Sequence, residues 1–296
     1  MRLCRFNNDS LGSVEGDVVR DVTAALDVLP EVRWPLPAGD PLVAHLVQIQ
    51  ERIKRIAAEA PKHKLADVHL LSPVANPGKI MAAPANYRLH VEMDTKDPTI
   101  DAGVHRAQLI DMEAPTEKLG LFLKANSSLV GPSQGIVIPH HAKRLDYEVE
   151  LTVVIGRQAR DIRKSDALSY VAGYCIGLDM TVRGVADRSF RKSSDSFTVL
   201  GPWLVTADEI PNPGDLLLSL EVNAKMHQRS STAAMTVGVE RLIELAAANY
   251  TLHPGDVIMT GTPEGVGPVV DGDTIKAHCQ GIGDMTVPVK AVASAA

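Results

Sequence analysis

The chain of 296 residues has only three cysteines, and Cys4, Cys175 and Cys279 lie far apart without a C-x-x-C pair. This spacing excludes a disulfide framework and a zinc knuckle, and it is typical of a protein from a reducing compartment. Cys175 lies within an apolar stretch, where a small buried side chain is its expected role. The sequence therefore gives no indication of thiol chemistry.

A basic excess is also absent, since the formal net charge is −6 and no block of lysine and arginine is interleaved with aromatic residues. Such a chain is not expected to bind nucleic acid. The sequence also lacks an apolar run of membrane-spanning length, and no basic region followed by an apolar core stands at its N-terminus. These absences predict a cytoplasmic protein without a membrane partner.

Short apolar segments, each introduced by a turn, dominate the chain after about residue 78. Three of these turns are Pro213-Gly214-Asp215, Pro254-Gly255-Asp256 and Asp271-Gly272-Asp273. Together with one clear helical pattern at about 239–250, the repeated units predict an α+β, strand-rich protein with a mixed β-roll or barrel.

The first part of the chain has a different pattern. The first 22 residues alternate short apolar segments with turns and predict a small β meander, and the apolar spacing over about 41–60 predicts a helix. We therefore expect a small N-terminal β/α cap over 1–75 and a larger main domain over 76–296. The polar, proline-containing segment 94–117 is predicted to be a long loop that acts as a lid.

Residues 146–156 alternate in the manner of a half-buried strand. Glu148 and Glu150 lie two positions apart, so both carboxylates point to the same side of the strand. Two like charges held this close repel each other unless water or a cation lies between them. The pattern is compatible with a solvent-facing strand that exposes two glutamates, and equally with part of a cation site.

A third carboxylate follows in the next predicted strand. The segment 170–180 is apolar and punctuated by glycine, and it ends near Asp179. Three oxygen ligands from two neighbouring strands would suit a hard divalent cation, with Mg²⁺ or Mn²⁺ first and Ca²⁺ next. The predicted metal ligands are therefore Glu148, Glu150 and Asp179.

Four motifs in this order resemble the fumarylacetoacetate hydrolase family. They are Asp-Tyr-Glu-Val-Glu-Leu at 146–151, Gly-Leu-Asp-Met-Thr at 177–181, Lys-Ser-Ser-Asp-Ser-Phe leading to Leu-Gly-Pro-Trp at 192–203, and Gly-Thr-Pro-Glu-Gly-Val-Gly at 261–267. The resemblance extends from about residue 76 to the end of the chain. It implies a metal-binding catalytic domain of the family's β-roll type and a homodimer.

The resemblance also implies roles for residues outside the acidic trio. His90 would activate water, and its acidic partner would be Glu92 two residues on or Asp94 four residues on. Lys192 would stabilise developing oxyanion charge. The residues implied to contact substrate are Tyr87, Lys124, Arg183 and Thr262. From the residues alone, the basic side chains could instead form exposed ion pairs of little energetic value.

Three functions are compatible with these residues. The resemblance favours a divalent-metal-dependent hydrolase, which cleaves a carbon–carbon bond in a β-diketo or 2,4-dioxo acid, such as fumarylacetoacetate or an acylpyruvate, in the catabolism of aromatic or related compounds. A 2-oxo acid decarboxylase or isomerase would use the same metal site. A non-catalytic, small-molecule-binding β protein would instead leave the two glutamates on the surface. In both catalytic cases the partner is a small oxo acid.

Overall fold

The computed structural model describes residues 1–96 and 112–292, with the backbone alone for residues 94–96. Within these ranges the α-helices are Pro41–Ala44 (α1), Leu46–Ile56 (α2), Arg88–Lys96 (α3), Pro115–Leu119 (α4), Arg188–Arg191 (α5) and Val239–Asn249 (α6). No α-helix in the described part of the chain is long and apolar enough to cross a bilayer. The predicted helix over 41–60 is present as α1 and α2, and most of the predicted lid over 94–117 lies outside the described residues.

The strands follow the predicted pattern of short segments. In the first half of the chain they are Arg2–Phe6 (β1), Ser10–Glu15 (β2), Val18–Asp21 (β3), Lys62–Lys64 (β4), Leu70–Leu71 (β5), Ile80–Ala82 (β6), Phe122–Lys124 (β7), Leu129–Val130 (β8), Ile136–Ile138 (β9) and Leu145–Tyr147 (β10). The remaining strands are Val149–Ile155 (β11), Val171–Asp179 (β12), Thr181–Val182 (β13), Thr198–Thr206 (β14), Leu217–Val222 (β15), Lys225–Ser231 (β16), Val257–Met259 (β17), Gly267–Pro268 (β18), Thr274–Cys279 (β19) and Gly283–Ala291 (β20).

Three sheets contain these strands within the described ranges. The largest has the order β4-β3-β2-β1-β14-β12-β11-β17-β6-β7, and β5 and β8 add to β1 and β14. The others are β13-β10-β18 and β16-β15-β19-β20-β9. The β6–β17, β8–β14 and β9–β20 pairs are parallel, whereas neighbours such as β11 and β12 are antiparallel. The predicted strand-rich mixed roll is confirmed, and the described strands do not close into a barrel.

The stretch 146–156 differs from its prediction as one half-buried strand. It is divided into β10 and β11, which belong to different sheets, and Glu148 lies between them. Every residue of β11 is buried, because the strand lies inside the large sheet with an apolar core on each side. Leu151 faces one core and Val154 faces the other.

The N-terminal segment joins the main body through both strand pairing and side-chain packing. β1 pairs antiparallel with β14, with Arg2 opposite Val205. On α2, Ile49 and Ile53 are buried in the same apolar cluster as Val154 of β11. Burial of each isoleucine stabilises the fold by about 1.5–3 kcal/mol. The domain boundary near residue 75 stays a prediction, and the strands before and after it form one sheet.

Substitution of Ile49 tests whether α2 stabilises the whole chain. Truncation of a buried isoleucine lowers the free energy of unfolding by about 2–5 kcal/mol. We therefore expect Ile49→Ala to shift a single thermal unfolding transition downwards by roughly 5–15 °C, measured by circular dichroism of the strands.

The matched control is Val47→Ala, because Val47 lies on the same helix and is 69% exposed. This variant should unfold within about 2 °C of the wild type. An unchanged melting temperature of Ile49→Ala would contradict a core shared by α2 and β11.

Candidate active site

The carboxylates of Glu148, Glu150 and Asp179 form a buried cluster, in which one ligand oxygen of each residue lies within 4.8 Å of the others. Strand pairing produces this arrangement. Val149 pairs with Leu178, and the Asp179 amide donates to the Glu148 carbonyl at 2.9 Å. The exposed fractions of the three acidic residues are 5%, 1% and 1%. The alternative with both glutamates on the surface is therefore wrong.

Two buried lysines offset part of the charge of this cluster. Lys192 Nζ donates to Glu148 Oε2 at 2.8 Å and to Asp179 Oδ2 at 2.7 Å, and it also donates to Thr181 Oγ1 at 2.6 Å. Lys124 Nζ donates to Asp179 Oδ1. Burial lowers the pKa of Lys124, whereas for Lys192 the attraction of the carboxylates outweighs burial and raises the pKa. Neither lysine sends its ammonium group into solvent.

Burial and neighbouring charges shift the pKa values of the two glutamates in opposite directions. Burial by itself favours the protonated form of Glu148, but attraction by Lys192 and the other nearby cations lowers its pKa to about 2. Burial raises the pKa of Glu150 well above its ordinary value, and repulsion by Asp179 and Glu148 raises it further. A cation bound at the cluster would favour the ionised form of Glu150, because metal ligands bind deprotonated.

The donor set fits a hard divalent cation. Within the described ranges, the cluster contains carboxylates alone, without a thiolate or an imidazole. Oxygen donors of this kind suit Mg²⁺, Mn²⁺ and Ca²⁺ better than the softer transition metals. The three acids are therefore chemically suited to the predicted metal.

Arg183 approaches the cluster from the segment that follows β12. Its Nε donates to Asp146 Oδ2 at 2.8 Å, and its Nη2 lies 3.3 Å from Glu148 Oε1. Asp146 also accepts hydrogen bonds from Arg144 at 2.7 and 3.0 Å. Two carboxylates thus hold Arg183 beside the acidic cluster, and the alternative of an exposed ion pair does not apply to it.

His90 and Glu92 have different surroundings on α3. His90 is 9% exposed, and it lies within electrostatic range of Glu148. Glu92 accepts a hydrogen bond from Arg88 Nε at 3.1 Å, in a pair exposed at the surface. Side chains two positions apart on a helix do not face each other. The role of Glu92 as the acidic partner of His90 therefore stays a prediction, and the helix geometry disfavours it.

Thr262 is held by Gln228, a residue for which the sequence predicts no role. Gln228 Nε2 donates to Thr262 Oγ1 at 2.9 Å and to the Pro263 carbonyl at 2.8 Å. Its Oε1 accepts from the amide of Val149 at 3.1 Å. Because the Thr262 oxygen accepts a hydrogen bond from Gln228, its own hydroxyl proton is directed away from Gln228 and can be donated to a ligand.

The turn that carries Thr262 also fixes Glu150. The amide of Gly261 donates to Glu150 Oε2 at 2.6 Å. Gly261 has a φ of 96°, a conformation that favours glycine, and a Cβ atom here would lie 2.7 Å from Asn86 Cβ. Glycine therefore permits both the backbone conformation of the turn and its close approach to Asn86.

Tyr87 is buried, and its hydroxyl group has no hydrogen-bond partner among the described residues. Burial raises the pKa of this hydroxyl above its ordinary value, and Glu150 raises it further. An unsatisfied buried hydroxyl costs free energy that a ligand acceptor would offset. This arrangement suits the predicted substrate contact.

The sequence matches the family described as "Fumarylacetoacetate (FAA) hydrolase C-terminal" over residues 79–290. Among its relatives is a maleylpyruvate hydrolase of Aquipseudomonas alcaligenes, which is 53% identical over 292 residues. This alignment covers 99% of the present chain and 100% of the relative.

Solved structures extend the similarity to the fold. Maleylpyruvate hydrolase from Sphingobium sp. SYK-6, in complex with a manganese(II) ion and pyruvate, matches with a TM-score of 0.80 and 35% identity, covering 98% of this chain and 99% of that one. The 5-carboxymethyl-2-hydroxymuconate delta-isomerase from Mycobacterium smegmatis matches with a TM-score of 0.71 and 33% identity, covering 99% of this chain and 100% of that one. The protein therefore belongs to the fumarylacetoacetate hydrolase family.

Proposed function

We propose that the protein is a divalent-metal-dependent hydrolase that cleaves a carbon–carbon bond of an acylpyruvate, a 2,4-dioxo acid. The observation that carries this proposal is the buried trio Glu148, Glu150 and Asp179, with Lys192 in contact with it and His90 nearby. One relative is a maleylpyruvate hydrolase, and the structure of another contains manganese and pyruvate. Pyruvate is the product that hydrolysis of any acylpyruvate would release.

Glu148, Glu150 and Asp179 would hold Mn²⁺ or Mg²⁺, and Ca²⁺ is a further hard cation that these ligands would accept. When bound, the cation supplies Lewis-acid polarisation of the substrate oxygens. Three carboxylates with Lys124 and Lys192 leave one net negative charge, which a dication changes to one net positive charge. The occupied site is then complementary to the carboxylate of a 2-oxo acid.

The surrounding residues supply the remaining chemistry. His90 takes a proton from water, and the water oxygen attacks the carbonyl carbon remote from the 2-oxo acid. The ammonium of Lys192 offsets the negative charge that develops on the carbonyl oxygen. When the carbon–carbon bond breaks, the water oxygen stays with the released acid, and the pyruvate carbon takes up a proton. The hydroxyls of Thr262 and Tyr87 orient the substrate by donating to its oxygens.

A second reaction would use the same site. An isomerase or decarboxylase of 2-oxo acids needs the metal cluster but no attack by water, and a delta-isomerase shares this fold. The burial of His90 close to the cluster favours hydrolysis, because it provides a base for water.

Assembly and location also belong to this proposal. A homodimer is what the family resemblance implies, and it stays a prediction. The cytoplasmic location stays a prediction as well. The three cysteines are free and buried, in agreement with a reducing compartment.

Glu150→Gln removes a charged ligand while it keeps the shape of the side chain. Because burial already favours the neutral form of Glu150, we expect the variant to keep the wild-type melting temperature. Calorimetry should show an affinity for Mn²⁺ weakened by at least ~100-fold, and release of pyruvate from acetylpyruvate should fall by about 10³-fold.

The matched control is Glu51→Gln, at an exposed position on α2. It should bind Mn²⁺ and turn over substrate like the wild type. Unchanged Mn²⁺ affinity in Glu150→Gln would exclude the trio as the metal site.

His90→Gln separates hydrolysis from the second reaction. Loss of a general base lowers turnover by roughly 10²–10⁴-fold, so release of acetate and pyruvate from acetylpyruvate should fall by that factor. The affinity for Mn²⁺ should stay within about twofold of the wild type, because the three acids remain.

The same assay on oxaloacetate provides the comparison, with the exposed His278→Gln as control. Conversion of oxaloacetate by the wild type, without cleavage of either a monocarboxylic or a dicarboxylic acylpyruvate, would contradict the hydrolase and favour the isomerase or decarboxylase.

A further inference from the structure

The segment between Asp179 and Lys192 carries an arginine that lies over an aromatic ring. Arg188 is the first residue of α5 and is partly buried. Its guanidinium lies over the ring of Phe122, with Cζ 5.3 Å from the ring centroid. Among residues 1–93 and 112–292, whose side chains the structure describes, no carboxylate forms an ion pair with Arg188.

The Phe122 ring connects Arg188 to the acidic cluster. Lys192 Nζ lies 5.5 Å from the centroid of the same ring, and this ammonium contacts Glu148 and Asp179 at 2.8 and 2.7 Å. Burial lowers the pKa of Arg188, and the charges of Glu148 and Asp179 partly offset this effect. Arg188 and Lys192 therefore both contact the ring of Phe122, at 5.3 and 5.5 Å from its centroid. Arg188 is also within electrostatic range of the cluster.

The other cations near the cluster are already engaged. Lys124 and Lys192 donate to the acidic trio, and Arg183 donates to Asp146. Arg191 donates to two backbone carbonyl groups at 2.9 and 3.2 Å. To bind a further anion, each of these side chains would have to share or break a contact. Arg188 would instead gain a new ionic contact, and a partly buried cation is stabilised when an anion pairs with it.

We propose that Arg188 binds a second carboxylate of the substrate, at the end remote from the 2-oxo acid. The inference rests on the proposed function, because it assigns the 2-oxo acid end to the metal cluster. A planar guanidinium can bind a carboxylate through two parallel hydrogen bonds, and stacking on Phe122 restricts its orientation. The site therefore favours dicarboxylic 2,4-dioxo acids over monocarboxylic ones.

Two substrates that differ at the remote end test this assignment. One is a 2,4-dioxo acid that ends in a carboxylate, and the other is acetylpyruvate, which ends in a methyl group. Arg188→Gln should lower kcat/KM for the dicarboxylate by roughly 10- to 150-fold, mainly through KM, because a charge-assisted hydrogen bond is lost. The value for acetylpyruvate should change by less than about threefold.

Arg188→Lys provides a second variant, which keeps the charge but not the two-pronged geometry. It should recover part of the dicarboxylate preference. Arg160→Gln is the matched control, because Arg160 forms an exposed pair with Asp161.

The role of Arg188 would be overturned if Arg188→Gln lowered kcat/KM equally for both substrates, or if it left the preference for the dicarboxylate unchanged. A wild-type protein that cleaves neither substrate would contradict the proposed function itself, and the inference with it. The two failures are therefore distinguishable in one set of assays.

Discussion

Repulsion among three buried carboxylates is the constraint on which the rest of the structure depends. Like charges are costly when they are buried and close together, and the ligand oxygens of Glu148, Glu150 and Asp179 lie within 4.8 Å of one another. The fold opposes this cost with backbone and ammonium donors. The Gly261 amide donates to the Glu150 carboxylate, and Lys192 bridges the carboxylates of Glu148 and Asp179. A backbone hydrogen bond from the Asp179 amide to the Glu148 carbonyl holds these two residues side by side. Apolar cores on both faces of the large sheet keep these strands in register.

Separate sheets contribute residues to this one site. Gln228 lies on β16 of the five-stranded sheet, and its amide joins the backbone of β11 to the turn that carries Thr262. The turn and strand β11 are therefore positioned by one side chain. With a dication bound, the carboxylates and lysines sum to a positive site for the 2-oxo acid, and Arg188 extends the positive charge beyond it. Under the proposed function, charge complementarity of this kind would select the substrate as well as the metal.

Local patterns in the sequence are sufficient to predict much of the fold. Strand β12 with Asp179 at its end, the N-terminal meander and α6 follow from turn residues and apolar spacing, which depend on near neighbours along the chain. Features set by distant contacts were not predictable. Burial of both faces of β11 requires packing by the N-terminal segment. Gln228 is a polar residue on a polar strand, so its contacts with residues 149 and 262 leave no local signal.

The central claim is that the three acids hold one divalent cation. Crystals grown with Mn²⁺ and pyruvate, measured at the manganese absorption edge, test this most directly. We expect one dominant anomalous peak, enclosed by the carboxylates of Glu148, Glu150 and Asp179, with pyruvate density beside it. A dominant peak elsewhere, or none at the trio when Mn²⁺ is in large excess, would contradict the claim.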